Sequence, residues 1–387
     1  MDTNMLFSVF KQFLLLGCIS FGGPAAHLGY FKKRFVDELN WLSNDDYAQI
    51  VALSQFLPGP GSSQTGFAIG YRMAGLAGGI AAFVAFTLPS VIIILLLASF
   101  GTGLNDTPVY QGIVQGLKLL AVVVVADATL GMFNSFCNNK ITQTLFAVTA
   151  VSCILLPSLM LQMLLLLICA LVGLIRLKTS AAPQNKPTSA VKPNSLALLL
   201  FGLMLLGLPF AAHIAPELAM ANTFFHAGSL VFGGGHVVLP MLQSMLSDTI
   251  SNDVFLSGYA AAQAIPGPMF TFATWLGYHW LPATPLLGAS IATLMIFLPG
   301  FLLLIGFLKS WQSLSDNPKL QGAMLGINAC VTGLLLSALY QPVFISAVSG
   351  AMEMVLVIVG LWLLKSIKAP VMWLVGFYVL AGATLLV

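Results

Sequence analysis

Long apolar runs dominate the chain, and short clusters of glycine, proline and isolated charges separate them. Ala81 to Phe100, Gly112 to Ala128, Ser195 to Pro209 and Ile291 to Phe307 each approach the ~20 apolar residues with which a helix crosses a hydrocarbon core. None alternates polar with apolar as a barrel strand does, and in lipid only helices or closed barrels satisfy every backbone group. The pattern predicts an all-α, polytopic membrane protein. Apolar segments fall near residues 5–21, 47–71, 73–100, 109–133, 141–156 and 158–176, then near 196–212, 217–233, 253–279, 284–309, 320–340, 343–364 and 370–387. Segments 5–21 and 217–233 are short and Gly-broken, either re-entrant or spanning, so the expectation is roughly 10–13 transmembrane segments.

The punctuation between the runs repeats. Phe21-Gly22-Gly23-Pro24 is echoed 211 residues later by Phe232-Gly233-Gly234-Gly235. Gln55 precedes Pro58-Gly59-Pro60 as Gln263 precedes Pro266-Gly267-Pro268, Gly70-Tyr71 recurs as Gly277-Tyr278, and Leu88-Pro89 as Leu298-Pro299. Gln111-Gly112 with Gly116 matches Gln321-Gly322 with Gly326, and throughout the offset stays between 207 and 211. Chance likeness of greasy helices does not keep Gly, Pro and Gln in one order, so the chain reads as a duplication. Its parts are an N-terminal membrane repeat over 1–178, a polar linker over 179–195 rich in Pro, Ser, Thr, Asn and Lys, and a C-terminal membrane repeat over 196–387. One additional helix stands before the second copy, and an odd helix between copies of even count turns that copy over, which predicts inverted repeats. Arg176, Lys178, Lys186 and Lys192 favour a cytoplasmic linker, whereas Lys32, Lys33 and Arg34 conflict with that side if every segment crosses.

Composition narrows the function. At 58% hydrophobic and 7% charged residues, with mean hydropathy +0.96, the chain is far from the ~25% charge of soluble domains. The net charge of +3 comes from scattered basic residues without a basic run or aromatic interleaving, so no nucleic acid partner is expected. Cys18, Cys137, Cys153, Cys169 and Cys330 lack metal or disulfide spacing and read as buried, inert thiols. The N-terminal run contains Lys11 and leads into a repeated motif, unlike a signal peptide. No nucleophile elbow, nucleotide loop, flavin, nicotinamide or metal fingerprint is present, so neither an enzyme nor a cofactor is expected.

The chemistry is expected at the helix breaks. Inside a membrane a broken helix is tolerated where it is buried in protein or lines a wet cavity, and the half-helix beyond it presents free N–H groups and a positive dipole end to an anion. Matched breaks in two halves point to a midplane substrate site. Its candidate lining is Gly22, Gly23, Pro24, Gln55, Pro58, Gly59, Pro60, Gly61, Ser62 and Gln64, with Ser63 and Thr65 alongside, and in the second copy Gly233, Gly234, Gly235, Gln263, Pro266, Gly267, Pro268 and Thr271. Hydroxyls and amides there replace water around an oxyanion, although Gly-Pro pairs also serve merely to kink or pack helices. Arg72 is a candidate for anion attraction or interfacial anchoring, and His27 and His236 for proton coupling or for bonding an oxyanion. Lys118 and Asp127, nine residues apart, fall on opposite helix faces; they are charge-coupling candidates, or else a snorkelling lysine and a helix–helix bond.

Phe21-Gly22-Gly23-Pro24 with His27 close behind, Gln55 with Pro58-Gly59-Pro60-Gly61, and Phe232-Gly233-Gly234-Gly235-His236 through Pro240 with Pro266-Gly267-Pro268 together resemble the chromate ion transporter family in its long two-domain form. The likeness covers nearly the whole chain. It implies an inner-membrane protein that exports chromate, with homologous halves in opposite orientation, driven by an ion gradient or the membrane potential. The residues alone supply only "anion"; the resemblance supplies chromate. The alternatives are a transporter of sulfate or another divalent oxyanion, including uptake, and a non-transporting scaffold or sensor. The expected partners are a chromate- or sulfate-like oxyanion, the lipid bilayer and a second copy of the chain in a homodimer.

Overall fold

In a computed structural model, residues 3–21, 23–101, 107–177, 193–231, 238–310 and 318–386 are described. They form an all-helical membrane protein. The first half comprises α1 (Thr3–Ile19), α2 (Gly23–Phe31), which widens into a π-helical stretch over Lys32–Glu38, α3 (Asn44–Phe56), α4 (Gly61–Gly101), α5 (Pro108–Phe136), α6 (Lys140–Leu155) and α7 (Leu159–Arg176). The second comprises α8 (Ser195–Ala211), α9 (Pro216–Leu230), α10 (Val238–Leu246), α11 (Asn252–Ala264), α12 (Phe272–Trp280), α13 (Pro285–Phe307), α14 (Pro318–Ala338), α15 (Ala351–Lys365) and α16 (Val371–Leu385). Among the described residues four stretches, Gly61–Phe100, Gln111–Phe136, Pro285–Phe307 and Lys319–Ala347, are long and apolar enough to cross a bilayer.

The expected segment at 47–71 is two helices. Pro58 and Pro60 withhold N–H groups and Gly59 adopts φ +123°, so α3 ends and α4 starts afresh. Likewise 253–279 divides at Pro266-Gly267-Pro268, where Gly267 has φ +96°. A straight helix of 41 residues would reach about 60 Å. Instead α4 folds on itself where Ala74 and Gly75 leave helical geometry, and its two arms touch at Gly70 and Gly78 with no room for a side chain. Gly277 of α12 and Gly288 of α13 repeat this contact. Capping repeats too: the Ser43 hydroxyl accepts from Asp46 N–H at the head of α3, and Ser251 accepts from Val254 N–H at the head of α11.

Two helices escaped the hydropathy reading. α2 with its π-helical continuation contains Lys32, Lys33, Arg34, Asp37 and Glu38, and this charge masks an apolar face that buries Phe31, Phe35 and Val36. Phe13 of α1 stacks on Phe35 at 4.8 Å and meets Phe31 edge-on at 5.5 Å. α10 is the matching short helix of the second copy.

Packing follows the duplication. Gly17 of α1 sits against the Phe86 carbonyl of α4 as Gly228 of α9 sits against the Ile296 carbonyl of α13. The terminal helix of each half is exchanged. Gly112 and Gly116 of α5 abut Gly382 and Tyr378 of α16, while Gly322 and Gly326 of α14 abut Leu177, Gly173 and Cys169 at the end of the first half. Small residues allow this close approach, which in lipid takes the place of hydrophobic driving force. Lys118 and Asp127 do not pair with each other, as their spacing predicts. Lys118 bonds Asp253 at 2.6 Å and Asp127 pairs with Lys365, so each ties α5 to the second half. Cys137, Cys153, Cys169 and Cys330 are buried as expected, but Cys18 is exposed, because α1 turns that face away from its contact with α4.

Candidate functional site at the crossed helix breaks

Each Pro-Gly-Pro turn docks on the opposite half. Gly59 N–H donates to the Val231 carbonyl at 2.7 Å, and Gly267 N–H donates to the Ser20 carbonyl at 2.8 Å. Ser20 and Val231 are themselves counterparts, each just before a first break. A Cβ on Gly59 would lie 2.8 Å from Gly300 Cα, and one on Gly267 would collide with Ser90 Oγ. Ser90 and Gly300 follow the matched prolines Pro89 and Pro299. Gln64 Nε2 donates to the Pro58 carbonyl at 3.0 Å and the Gly300 carbonyl at 2.9 Å, while Ser90 Oγ donates to the Pro266 carbonyl at 2.7 Å. Only glycine fits where these backbones cross.

Polar groups gather on the first-half side. α4 begins at Gly61, so the first N–H groups of its initial turn have no intrahelical acceptor and carry the positive dipole end. Ser62, Ser63, Gln64 and Thr65 of that turn are buried, as are Ser54 of α3, Ser20 after α1, Thr87 of α4 and His27 of α2. His27 Nε2 lies 3.2 Å from the Ser20 carbonyl, which only accepts, so this nitrogen carries the proton. In the neutral ring Nδ1, 3.3 Å from Ser62 Oγ, then receives the serine proton, and the ring stands edge-on to Phe86 at 5.2 Å. Gly23, at φ +76°, opens α2 with Pro24 beside it and so delivers His27 to this place.

Ser20 Oγ, Ser54 Oγ, Ser63 Oγ, Gln64 Oε1 and Thr87 Oγ1 are buried without a hydrogen-bond partner. An orphaned buried polar group costs roughly 1–3 kcal/mol, so a collection of them calls for a guest or ordered water. Among the described residues, the second copy lacks most of these groups. At the equivalent offsets Val231 stands for Ser20, Ala262 for Ser54, Phe270 for Ser62, Phe272 for Gln64 and Phe297 for Thr87. Thr271, matching Ser63, spends its hydroxyl on the Pro268 carbonyl at 2.7 Å. The turns are duplicated as scaffold, and the donors are concentrated in one copy.

Other expected residues lie around this cluster or apart from it. Gln55 is exposed on α3 with its amide beside Gly61, and Gln263 Nε2 lies 2.8 Å from Met269 Sδ. Arg72 stands at the tip of the α4 hairpin, bonded to Asp46 at 2.7 Å, remote from the breaks in sequence and in contact. Lys118 and Asp127 serve the links between halves. Gly22, Gly233, Gly234, Gly235 and His236 lie outside the described residues. Sequence reasoning did not single out Ser20, Ser54 or Thr87. Reading one copy against the other for hydroxyls replaced by phenylalanine or aliphatic residues would have found them.

Two open cavities flank the structure. One of about 540 Å³ is lined by Gln162, Gln243, Ser244, Ser247, Ser337 and Gln341 among others. Another of about 470 Å³ lies between α3, the first arm of α4 and the end of α13, with Asp46, Arg72 and Lys309 around it and Leu53 and Ala68 within. Among the described residues no group of three His, Cys, Asp or Glu is placed to hold a metal ion.

Residues 7–174 and 218–384 each match the sequence model of the chromate transporter family. An uncharacterized transporter of Methanocaldococcus jannaschii is 25% identical over 338 residues, 85% of this chain and 82% of that protein. A probable chromate transport protein of Synechococcus elongatus is 27% identical over 335 residues, covering 85% and 82% of the two chains. The chromate transport protein of Pseudomonas aeruginosa is 26% identical over 348 residues, covering 84% and 78%. No solved structure matches.

Proposed function

Because the chain belongs to the chromate transporter family, whose members are membrane transporters and not enzymes, we propose that it exports chromate across the inner membrane as a secondary transporter. The supporting observation is the set of buried, unpartnered hydroxyls around the first turn of α4, closed over by the opposite half. Hydroxyls rotate to donate, and together with the free N–H groups of Gly61, Ser62 and Ser63 they replace the hydration shell of a tetrahedral dianion without a fixed countercharge. Gln64 Nε2 is committed to two carbonyls, so Gln64 acts as a brace for the Pro58–Gly61 turn. Pro58, Gly59, Pro60, Pro266, Gly267 and Pro268 then form the crossing that holds the site.

Inverted repeats belong to the same reading. The tip of the α4 hairpin, at Tyr71 and Arg72, shares a cavity with Leu308 and Lys309 at the far end of α13. α13 starts at Pro285, beside the tip of the second hairpin. Two hairpins of opposite sense, locked at their breaks, allow the site to face either side as one half rocks on the other. The sequence carries no nucleotide-binding motif, so this reading takes the energy from an ion gradient or the membrane potential, the alternative being a separate energising subunit.

The test is chromate flux into inside-out vesicles, comparing wild type with Ser63→Ala/Thr87→Val and with a Ser135→Ala control on the exposed end of α5. Loss of at least tenfold in flux by the double variant alone supports the reading. Sulfate that competes as well as chromate would leave the mechanism and change the substrate. Absence of flux of either anion from folded protein would favour a scaffold or sensor.

A further inference from the structure

The cavity of about 470 Å³ between α3, the α4 hairpin tip and the end of α13 is set apart by its charge. Among the described residues, two cations, Arg72 from the first half and Lys309 from the second, share it with a single carboxylate, Asp46. Asp46 is already bonded to Arg72 at 2.7 Å and to the Ser43 hydroxyl at 2.8 Å, so the three charges leave an excess of one positive. Leu53 and Ala68, the most buried residues of its lining, form its floor. Leu53 adjoins Ser54, and Ala68 stands one turn above Gln64 on the same face of α4, so the floor lies a single helical turn from the polar cluster.

We infer that this cavity is the vestibule through which a divalent oxyanion reaches the crossed breaks, that Lys309 and Arg72 draw the anion in, and that Asp46 occupies Arg72 until the anion displaces it. The inference rests on the oxyanion reading of the site. A concave surface of one charge sign between low-dielectric walls concentrates the opposite ion and raises its rate of arrival. An arriving dianion competes with Asp46 for the Arg72 guanidinium, which offers the planar, paired donors that suit an oxyanion. Among the described residues that line this cavity, Lys309 has no carboxylate other than Asp46. Because Arg72 and Lys309 come from different halves, rocking of one half on the other separates the two cations and weakens the hold on the anion. The vestibule is thereby tied to the conformational cycle.

The test uses the full-length chain in proteoliposomes. Gln49→Cys, on the lining of the cavity, is made in a Cys18→Ser background, because Cys18 is exposed and the other four cysteines are buried. The rates of modification by an anionic and a cationic methanethiosulfonate reagent are compared, with and without chromate or sulfate. The expected result is an anionic reagent faster by roughly tenfold, consistent with electrostatic focusing. Arg72→Gln should abolish this preference, and the oxyanion should protect the thiol. In parallel, Lys309→Gln and Arg72→Gln should raise KM for flux several-fold with the maximal rate retained, Lys309→Arg should restore it, and Asp46→Asn should lower KM. Equal rates for both reagents without protection, alongside unchanged KM, would overturn the vestibule while leaving the transport reading intact. Charge preference and protection in a protein that moves neither anion would uphold the vestibule and sink that reading instead.

Discussion

At the level of single residues, the crossing of the two Pro-Gly-Pro turns makes the strictest demands. Gly267 needs both φ +96° and the space taken by Ser90 Oγ, so Gly267→Ala combines a strained backbone with a collision. A left-handed alanine costs about 1 kcal/mol and the overlap a further ~1–3 kcal/mol. Gly267→Ala should therefore lower the melting temperature in detergent, and Ser90→Gly, the residue of the second copy at that place, should recover part of the loss. No recovery would mean that the crossing is not as tight as described. Asp46 makes a separate prediction, being in the first turn of α3 outside the long spanning helices. The Ser43 hydroxyl, and then Arg72, hold its carboxyl below the ordinary carboxylate value. A depressed acid contributes stability above its unfolded pKa near 4 and loses that contribution as pH falls through the folded value. The Asp46→Asn penalty, about 0.5 kcal/mol for a pair so open to water, should be constant from about pH 5 to 8 and vanish below the folded value. A penalty that changed between pH 6 and 8 would point to another titrating group.

Among the helices, close packing separates the glycines that bear on the fold from those that do not. A Cβ on Gly326 would run into the Cys169 carbonyl, whereas one on Gly202 in α8 would meet open space. Gly326→Ala should destabilise by ~1–3 kcal/mol and expose α7 to protease, while Gly202→Ala should be neutral or gain up to ~1 kcal/mol in helix propensity. Equal effects of the two would refute the exchange of terminal helices. These helices also mark the limit of sequence legibility. Proline flanking a glycine announces a break whatever surrounds it, so the turns at Pro58 and Pro266 were readable. α2 was not, because Lys32, Lys33 and Arg34 dilute an apolar face that becomes visible only when Phe31 and Phe35 are seen packed on Phe13. Gly116 and Gly326 were legible only as matched positions of the repeat, not as points of close approach. Their partners lie in the other copy, a long-range fact that no local window contains.

At the scale of the whole molecule, duplication explains the architecture, and loss of symmetry marks the candidate site. The same backbone bonds occur twice, Gly59 to Val231 and Gly267 to Ser20, yet among the described residues the unpartnered buried hydroxyls lie in one copy. A site without a buried fixed cation among its described members has a consequence for energetics. If the dianion crosses with no accompanying proton, two negative charges move through the field, worth ~4.6 kcal/mol per 100 mV. An interior-negative potential then drives export, and at equilibrium 100 mV sustains a gradient on the order of 10³-fold. His27 offers a proton carrier, but its ring is spent between the Ser20 carbonyl and the Ser62 hydroxyl, with no carboxylate among its partners. The expected outcome is that vesicles clamped with valinomycin and potassium accumulate chromate in proportion to the imposed potential, with no dependence on a pH gradient. His27→Gln should slow the rate without changing the charge moved per chromate. Flux that ignored the potential and followed the pH gradient, lost on replacing His27, would instead make that imidazole the coupling group and the neutral hydroxyl site its companion.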